Sequence, residues 1–268
     1  MDDEIDPRRW VCGNLVGVAA DVIGNAAFNR HPVELAIAGC AAAHRGLFAL
    51  LDACPEPAEC AAVFAHYMDL AFALHDDPPP AATPRRHAPA SYAALLAGWG
   101  MDSNGPAGAV LKGWVESRFG LVPVFHGEPL RRFPSPAWIR YLEQKSGHRL
   151  HNHSILQQLD LLYTFCQWWL RRFVPGGGAA LLLWRGSNRC DEQLVDPAPR
   201  GGVMRLNNLV SFSLDADRAD CFGDCVFSAH VPRQKIVHYP GMLARAVLQG
   251  EREVLAIGGD FAVEYANV

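Results

Sequence analysis

The sequence is poor in lysine, in paired cysteines and in long apolar runs, and each shortage removes a class of protein. Of the 24 basic residues among 268, only Lys112, Lys145 and Lys235 are lysines. The formal charge is −4, so the chain has no surplus of positive charge for a sequence-independent grip on phosphate, and nucleic acid is not an expected partner. No apolar stretch reaches the roughly 18 residues of a membrane span; the best candidate, Ala36 to Leu51, is interrupted by His44 and Arg45. The opening MDDEIDPRRW is acidic and has no apolar segment, which predicts a soluble, cytoplasmic protein. The eight cysteines (12, 40, 54, 60, 166, 190, 221 and 225) lack the CxxC spacing of a zinc site, and the expectation is reduced, buried thiols. Cys221, Cys225 and His230 make only a partial ligand set with no fourth member nearby, so no metal is expected. P-loop, GxGxxG, HExxH and GxSxG motifs are all absent.

Hydrophobic residues at 50% and charged ones at 19% are enough for a core. The length fits one compact domain over 1–268, helical to about 175 and β-rich from about 176. Helical composition and spacing predict helices over Pro32–Ala53, Ala58–Leu74, Ser91–Ala97, Gly105–Arg118, Pro136–Lys145 and Asn152–Phe173. The proline-rich 76–89 reads as an exposed loop, and Asp102 to Pro106 as a turn into a helix. Pro175-Gly176-Gly177-Gly178 then breaks the pattern. Strands are expected at 179–186, 203–214, 224–231, 234–239, 252–257 and 260–266. Helices first and strands afterwards predict an α+β fold.

Asp215, Asp217 and Asp220 read as a solvated turn, and His151 and His153 point to different faces of their helix. Three places in the β-rich third differ in kind. Arg185-Gly186 ends the apolar run LLLWRG, where a guanidinium must emerge or find a partner, and the glycine would let a ligand approach the backbone. Ser211 and Ser213 lie two apart in a strand, so their hydroxyls share a face. Glu251 and Glu253 at the mouth of VLAIGG share a face in the same way, and two carboxylates so close repel unless a cation lies between them. Each alone is explained by a sheet end or a polar strand face.

In this order, with spacings of 26 and 42 residues, LLLWRG, LVSFSL and EREVL resemble the Arg–Ser–Glu signature of ADP-ribosyltransferases. NRHPVEL, GWGMDSNGPAGAVLKGWVESRFGL, RFPSPAWIRYLEQK, QLDLLYTFCQWW, RLNNLVSFS and ADCFGD extend the resemblance to the NAD⁺–dinitrogen-reductase ADP-ribosyltransferase family, from about Asn14 onward. The resemblance implies an ADP-ribosyltransferase-like fold with a split β core, NAD⁺ as substrate, and transfer of ADP-ribose to an arginine of dinitrogenase reductase, the nitrogenase iron protein, which it inactivates. It also implies control through P-II nitrogen-signalling proteins. On matching positions, Arg185 would hold the NAD⁺ diphosphate or adjacent ribose, Ser211 would orient both the catalytic glutamate and the nicotinamide-side ribose, and Gly186 and Ser213 would also lie at the NAD⁺ site. Glu253 would be the catalytic glutamate, and Glu251 would address the acceptor arginine. Phe212 stands where many relatives carry threonine. Rival readings are an NAD⁺ glycohydrolase, an arginine ADP-ribosyltransferase with another target, and a non-catalytic NAD⁺-binding module. Labelled product separates the first two, and indifference to loss of Glu253 would mark the third.

Overall fold

The computed structural model describes residues 14–74, 90–147, 151–174, 178–245, 247–248 and 252–266. The loop expected at 76–89 lies outside them, and so does Glu251. The chain begins with α1 (Ala20–Ile23), α2 (Ala26–Arg30), α3 (Cys40–Ala43), α4 (Arg45–Ala53), α5 (Pro57–Phe72), α6 (Tyr92–Met101) and α7 (Pro106–Phe119). A small hairpin follows, β1 (Phe125–His126) and β2 (Glu128–Pro129), then α8 (Pro136–Gly147) and α9 (His153–Phe173). The C-terminal part holds β3 (Ala180–Ser187), α10 (Cys190–Gln193), β4 (Leu194–Ala198), β5 (Gly201–Ser213) and α11 (Ala216–Asp220). It closes with β6 (Cys225–Pro232), β7 (Ile236–His238) and β8 (Glu253–Tyr265). Apart from the β1–β2 hairpin, the long helices precede the six-stranded sheet of the C-terminal part, as expected.

The longest helix is also the best specified. Asn152 caps α9 by accepting from the Ile155 amide at 2.9 Å, and Arg171 and Arg172 meet the negative end of its dipole. Its apolar stripe packs on both layers. Phe165 stacks on Phe64 of α5 with centroids 3.9 Å apart, and the Tyr163 hydroxyl lies 2.7 Å from the carbonyls of both Leu35 and Gln234. One cluster of buried apolar side chains therefore runs from the helices into the sheet.

Several short elements (α1, α2, β1, β2, β4, α10 and α11) were not expected, and two expected regions are reorganised. The single helix over Pro32–Ala53 is instead two, α3 and α4, preceded by extended chain. Gly39 sits at φ +79°, and the backbone before it bonds outside any helix: Ala38 N–H donates to the Leu15 carbonyl at 2.9 Å. Conversely, 252–257 and 260–266 fuse into the one strand β8. Gly258-Gly259 is not a turn but the place where two other segments come close. A Cβ on Gly258 would lie 1.6 Å from the Asn207 carbonyl oxygen, and Gly259 takes φ +109° against Gly24.

The sheet is two antiparallel ribbons joined by narrow seams. β3 pairs with β6 from Ala180↔Pro232 to Ser187↔Cys225, and β5 pairs with β8 from Gly201↔Glu264 to Ser213↔Glu253. One seam is the single pair Trp184↔Ser213; the other is Phe227↔Tyr265 to Ala229↔Val263. The four strands thus close a ring, with β4 flanking β5 and β7 flanking β8. A bulge opposes Asn207 and Asn208 to Gly258. Its two side chains fasten the helical layer: Asn208 Nδ2 donates to the carbonyls of Lys112 and Leu121 at 2.8 Å, and Asn207 binds Val124 N–H and the Phe125 carbonyl.

The cysteine expectation is corrected. Cys190 and Cys225 form a disulfide, which ties α10 to the start of β6 and removes Cys225 from any metal set. A separation of 35 residues gives no spacing signal for this pair; the β3–β6 pairing, which ends at Ser187↔Cys225, brings the two together.

Candidate active site

The single-pair seam is where the chemistry collects. Ser211 of β5 faces Leu255, and Ser213 faces Glu253, so Ser211 and Glu253 are diagonal neighbours across the ladder. The Ser211 hydroxyl donates to Glu253 Oε1 at 2.5 Å. From the neighbouring ribbon, Arg185 Nη1 donates to the Ser211 carbonyl at 2.6 Å. Residues 26 and 42 positions apart in sequence are therefore one hydrogen-bonded unit centred on Ser211. Burial pulls the Arg185 guanidinium below its ordinary value, opposed by the nearby Glu253 charge. Its Nε is buried without a hydrogen-bond partner among the described residues, which is unusual for a guanidinium.

This unit opens into a cavity of about 1340 Å³. Every second residue of β5 from Arg205 to Ser213 lines it, as do Arg185, Gly186 and Glu253. The turn Asp102–Asn104 forms part of the opposite wall. That turn is built by close packing of α6 on α7. A Cβ on Gly108 would lie 2.1 Å from the Ser103 carbonyl oxygen, and one on Gly98 would lie 2.6 Å from the Ala107 Cβ. Asp102 Oδ1 accepts from the Asn104 amide at 2.8 Å in a side-chain turn. Buried Lys112 then pins Asn104 Oδ1, the Phe125 carbonyl and His126 Nδ1 within 3.1–3.2 Å. Desolvation lowers this lysine to about 7, partly offset by Asp102. Arg189 lies over the Phe125 ring, 3.8 Å from its centroid, at another edge of the cavity.

The expected residues thus fare differently. Arg185, Ser211 and Glu253 are brought together. Ser213 also lines the cavity, but its oxygen accepts from the Asp215 amide at 3.0 Å and so caps the following turn. Gly186 is adjacent, yet its need for glycine has another cause: a Cβ there would lie 2.0 Å from the Ala219 carbonyl oxygen, so α11, not a ligand, is what approaches it. Glu251 lies outside the described residues. The residue that sequence reading missed is Trp99, whose Nε1 donates to Ser211 Oγ at 2.8 Å. It stands 112 positions from its partner, and only its place in GWGMDSNG marked its neighbourhood. Among the described residues there is no group of three or more His, Cys, Asp or Glu that could hold a metal, and no helix is long and apolar enough to cross a membrane.

A family profile described as dinitrogenase reductase ADP-ribosyltransferase (DRAT) matches residues 13–265. The chain belongs to the dinitrogenase reductase ADP-ribosyltransferase family. Among characterised members it is 48% identical, over 257 residues, to the NAD(+)–dinitrogen-reductase ADP-D-ribosyltransferase of Rhodospirillum rubrum, covering 94% of this chain and 93% of that one. No solved structure matches the chain. The matched stretch includes Arg185, Ser211 and Glu253.

Proposed function

We propose that this chain transfers ADP-ribose from NAD⁺ to an arginine of dinitrogenase reductase. The observation that carries the reading is the Arg185–Ser211–Glu253 unit at the floor of a large cavity, in a chain of this family. Breaking the nicotinamide–ribose bond develops oxocarbenium-like positive charge at the ribose, and nicotinamide leaves neutral with the bonding pair. Glu253 supplies the charge that stabilises this centre. Because Ser211 fixes its Oε1, the carboxylate is preorganised rather than free to rotate. Arg185 offers its remaining donors to the NAD⁺ diphosphate or adjacent ribose, where a planar fork suits oxygen pairs better than an ammonium would.

The incoming arginine is protonated, with a pKa above about 12. Glu251 aligns it and takes its proton as the new C–N bond forms, giving ADP-ribosylarginine, nicotinamide and one proton. Ser213 and Gly186 shape the ribose side of the pocket. The ring of two ribbons supports reading the fold as ADP-ribosyltransferase-like, in one domain. Control by P-II proteins rests on the resemblance alone. The test incubates the protein with label on the ADP-ribose part of NAD⁺ and purified dinitrogenase reductase. Label bound to the iron protein, and lost with Glu253→Gln, is the expected result. Free ADP-ribose with unlabelled iron protein would make the chain a glycohydrolase instead.

A further inference from the structure

We infer that Trp99 is a positioning residue for NAD⁺ cleavage, acting through Ser211 on Glu253. The inference rests on the reading of Glu253 given above and extends it to the helical layer. Trp99 is 5% exposed, at the end of α6, and its Nε1 lies 2.8 Å from Ser211 Oγ, which in turn lies 2.5 Å from Glu253 Oε1.

The direction of the relay follows from donor and acceptor inventory. An indole N–H can only donate; a serine hydroxyl has one hydrogen and two lone pairs; a carboxylate can only accept. With Trp99 occupying a lone pair on Oγ, the hydroxyl hydrogen is committed to Glu253. Donation into Oγ also polarises its O–H, so the two bonds strengthen one another. A buried indole needs some acceptor, and carbonyl oxygens would have satisfied it equally well. This one is aimed at the side chain that orients the carboxylate. Arg185 holds the same serine by its backbone carbonyl, so Ser211 is fixed from both sides and its hydroxyl direction is set by Trp99.

The indole itself is braced from behind. Gly98 and Ala107 bring α6 against α7, and the Lys112 Nζ stands 5.9 Å from the Trp99 ring centroid. The route from the helical part to the reacting carboxylate is thus two hydrogen bonds long.

The decisive experiment is a double-mutant cycle on the full chain, measuring nicotinamide release with saturating dinitrogenase reductase across an NAD⁺ titration. Trp99→Phe keeps a ring and removes the N–H. It should lower kcat about tenfold, the worth of one hydrogen bond of this kind, with KM for NAD⁺ changed by less than about twofold. In a Ser211→Ala background the same substitution should change kcat by less than about twofold, because the hydrogen-bonded route through Ser211 to Glu253 is gone. A role confined to packing predicts the same factor in both backgrounds, and that result would overturn the inference, as would a loss in KM with kcat intact. If Trp99→Phe does not fold, 3-benzothienylalanine at position 99 keeps the bicyclic shape without the N–H and is held to the same outcomes. Glu253→Gln is run alongside. Full activity there would bring down the reading of the site itself; an inactive Glu253→Gln with additive Trp99 and Ser211 effects brings down only the role of Trp99.

Discussion

Towards one end of the β5–β8 ribbon, Arg205 and Asp260 stand opposite each other and are joined by two hydrogen bonds, at 2.8 and 3.2 Å. At the other end, Arg185 and Glu253 both reach Ser211, and no ion pair joins them directly. An arginine and a carboxylate therefore produce opposite results at the two ends. Arg205 and Asp260 satisfy one another, so their energy is spent on the fold. A serine keeps Arg185 and Glu253 apart, so each retains unused hydrogen-bonding capacity, and a buried group in that state destabilises the fold unless a ligand completes it. Both arginines line the same cavity, and what separates a structural end from a reactive one is whether the charges are allowed to meet.

The strongest way to break this contrast is to neutralise each carboxylate in turn. Glu253→Gln should cut NAD⁺ cleavage by about 10²-fold or more while thermal unfolding stays close to wild type. Activity within tenfold of wild type, in a folded variant that binds NAD⁺, would show that this end is not the reactive one. Glu251→Gln sharpens the reading of the reactive end. It should reduce labelled iron protein about tenfold or more relative to free ADP-ribose, because water needs no cationic nucleophile aligned and deprotonated. A parallel fall in both products would place Glu251 with NAD⁺ rather than with the acceptor.

Arg185→Lys preserves charge but not the fork, and about a tenfold loss in kcat/KM for NAD⁺ is expected. Unchanged kinetics across an NAD⁺ titration would return Arg185 to sheet-end structure. At the structural end the expectation reverses. Asp260→Asn should lower stability by about 1–2 kcal/mol, as for a partly exposed ion pair, and leave kcat near wild type. Chemical denaturation and steady-state rates on one preparation decide it.

The remaining expectation concerns pH and leaves the reaction itself untouched. Lys235 is fully buried against the rings of Phe28 and Phe261, with Nζ 3.1 Å from the Gly258 carbonyl oxygen, and burial lowers it to about 7. Its folded value lies below its unfolded one, so the unfolded chain binds more protons between the two. Stability should then rise as pH increases from about 7 towards 9, with Lys112 acting in the same sense. Each fully titrating lysine contributes a slope of at most about 1.4 kcal/mol per pH unit. Lys235→Met should roughly halve the combined slope; an unaltered slope in denaturation midpoints at pH 7 and 9 would show that Lys235 is charged when folded.

Local pattern carried much of this architecture. The α9 stripe and its Asn152 cap, the strand character of LLLWRG and RLNNLVSFS, and the shared face of Ser211 and Ser213 follow from periodicity. What failed did so where distant segments intervened. Gly258-Gly259 has the composition of a turn, and only the approach of Asn207 and Gly24 makes it the interior of a strand. The helix expected from Pro32 was lost because Leu15 and Tyr163 bind backbone groups that a helix would have used. The Arg–Ser–Glu order needed a family resemblance, since each residue alone is an ordinary sheet feature. Trp99 and the Cys190–Cys225 pair had no local signal at all; one depends on α6 meeting β5 and the other on β3 pairing with β6.

The closure of the ring by β8 also has a bearing on biosynthesis. Glu253 opens the last described strand, which docks on β5, β6 and β7 together. Chains emerge from the ribosome with the N-terminal part first, and pairing Gly201 with Glu264 must close a long loop before it is rewarded. A nascent chain that already holds α1 to α9 and β3 to β7 therefore has an arginine, a serine and half a cavity, but no carboxylate to cleave with. On the proposed function, a polypeptide that could drain NAD⁺ or silence nitrogenase stays inert until β8 has been made, and becomes competent in the same step that completes its sheet.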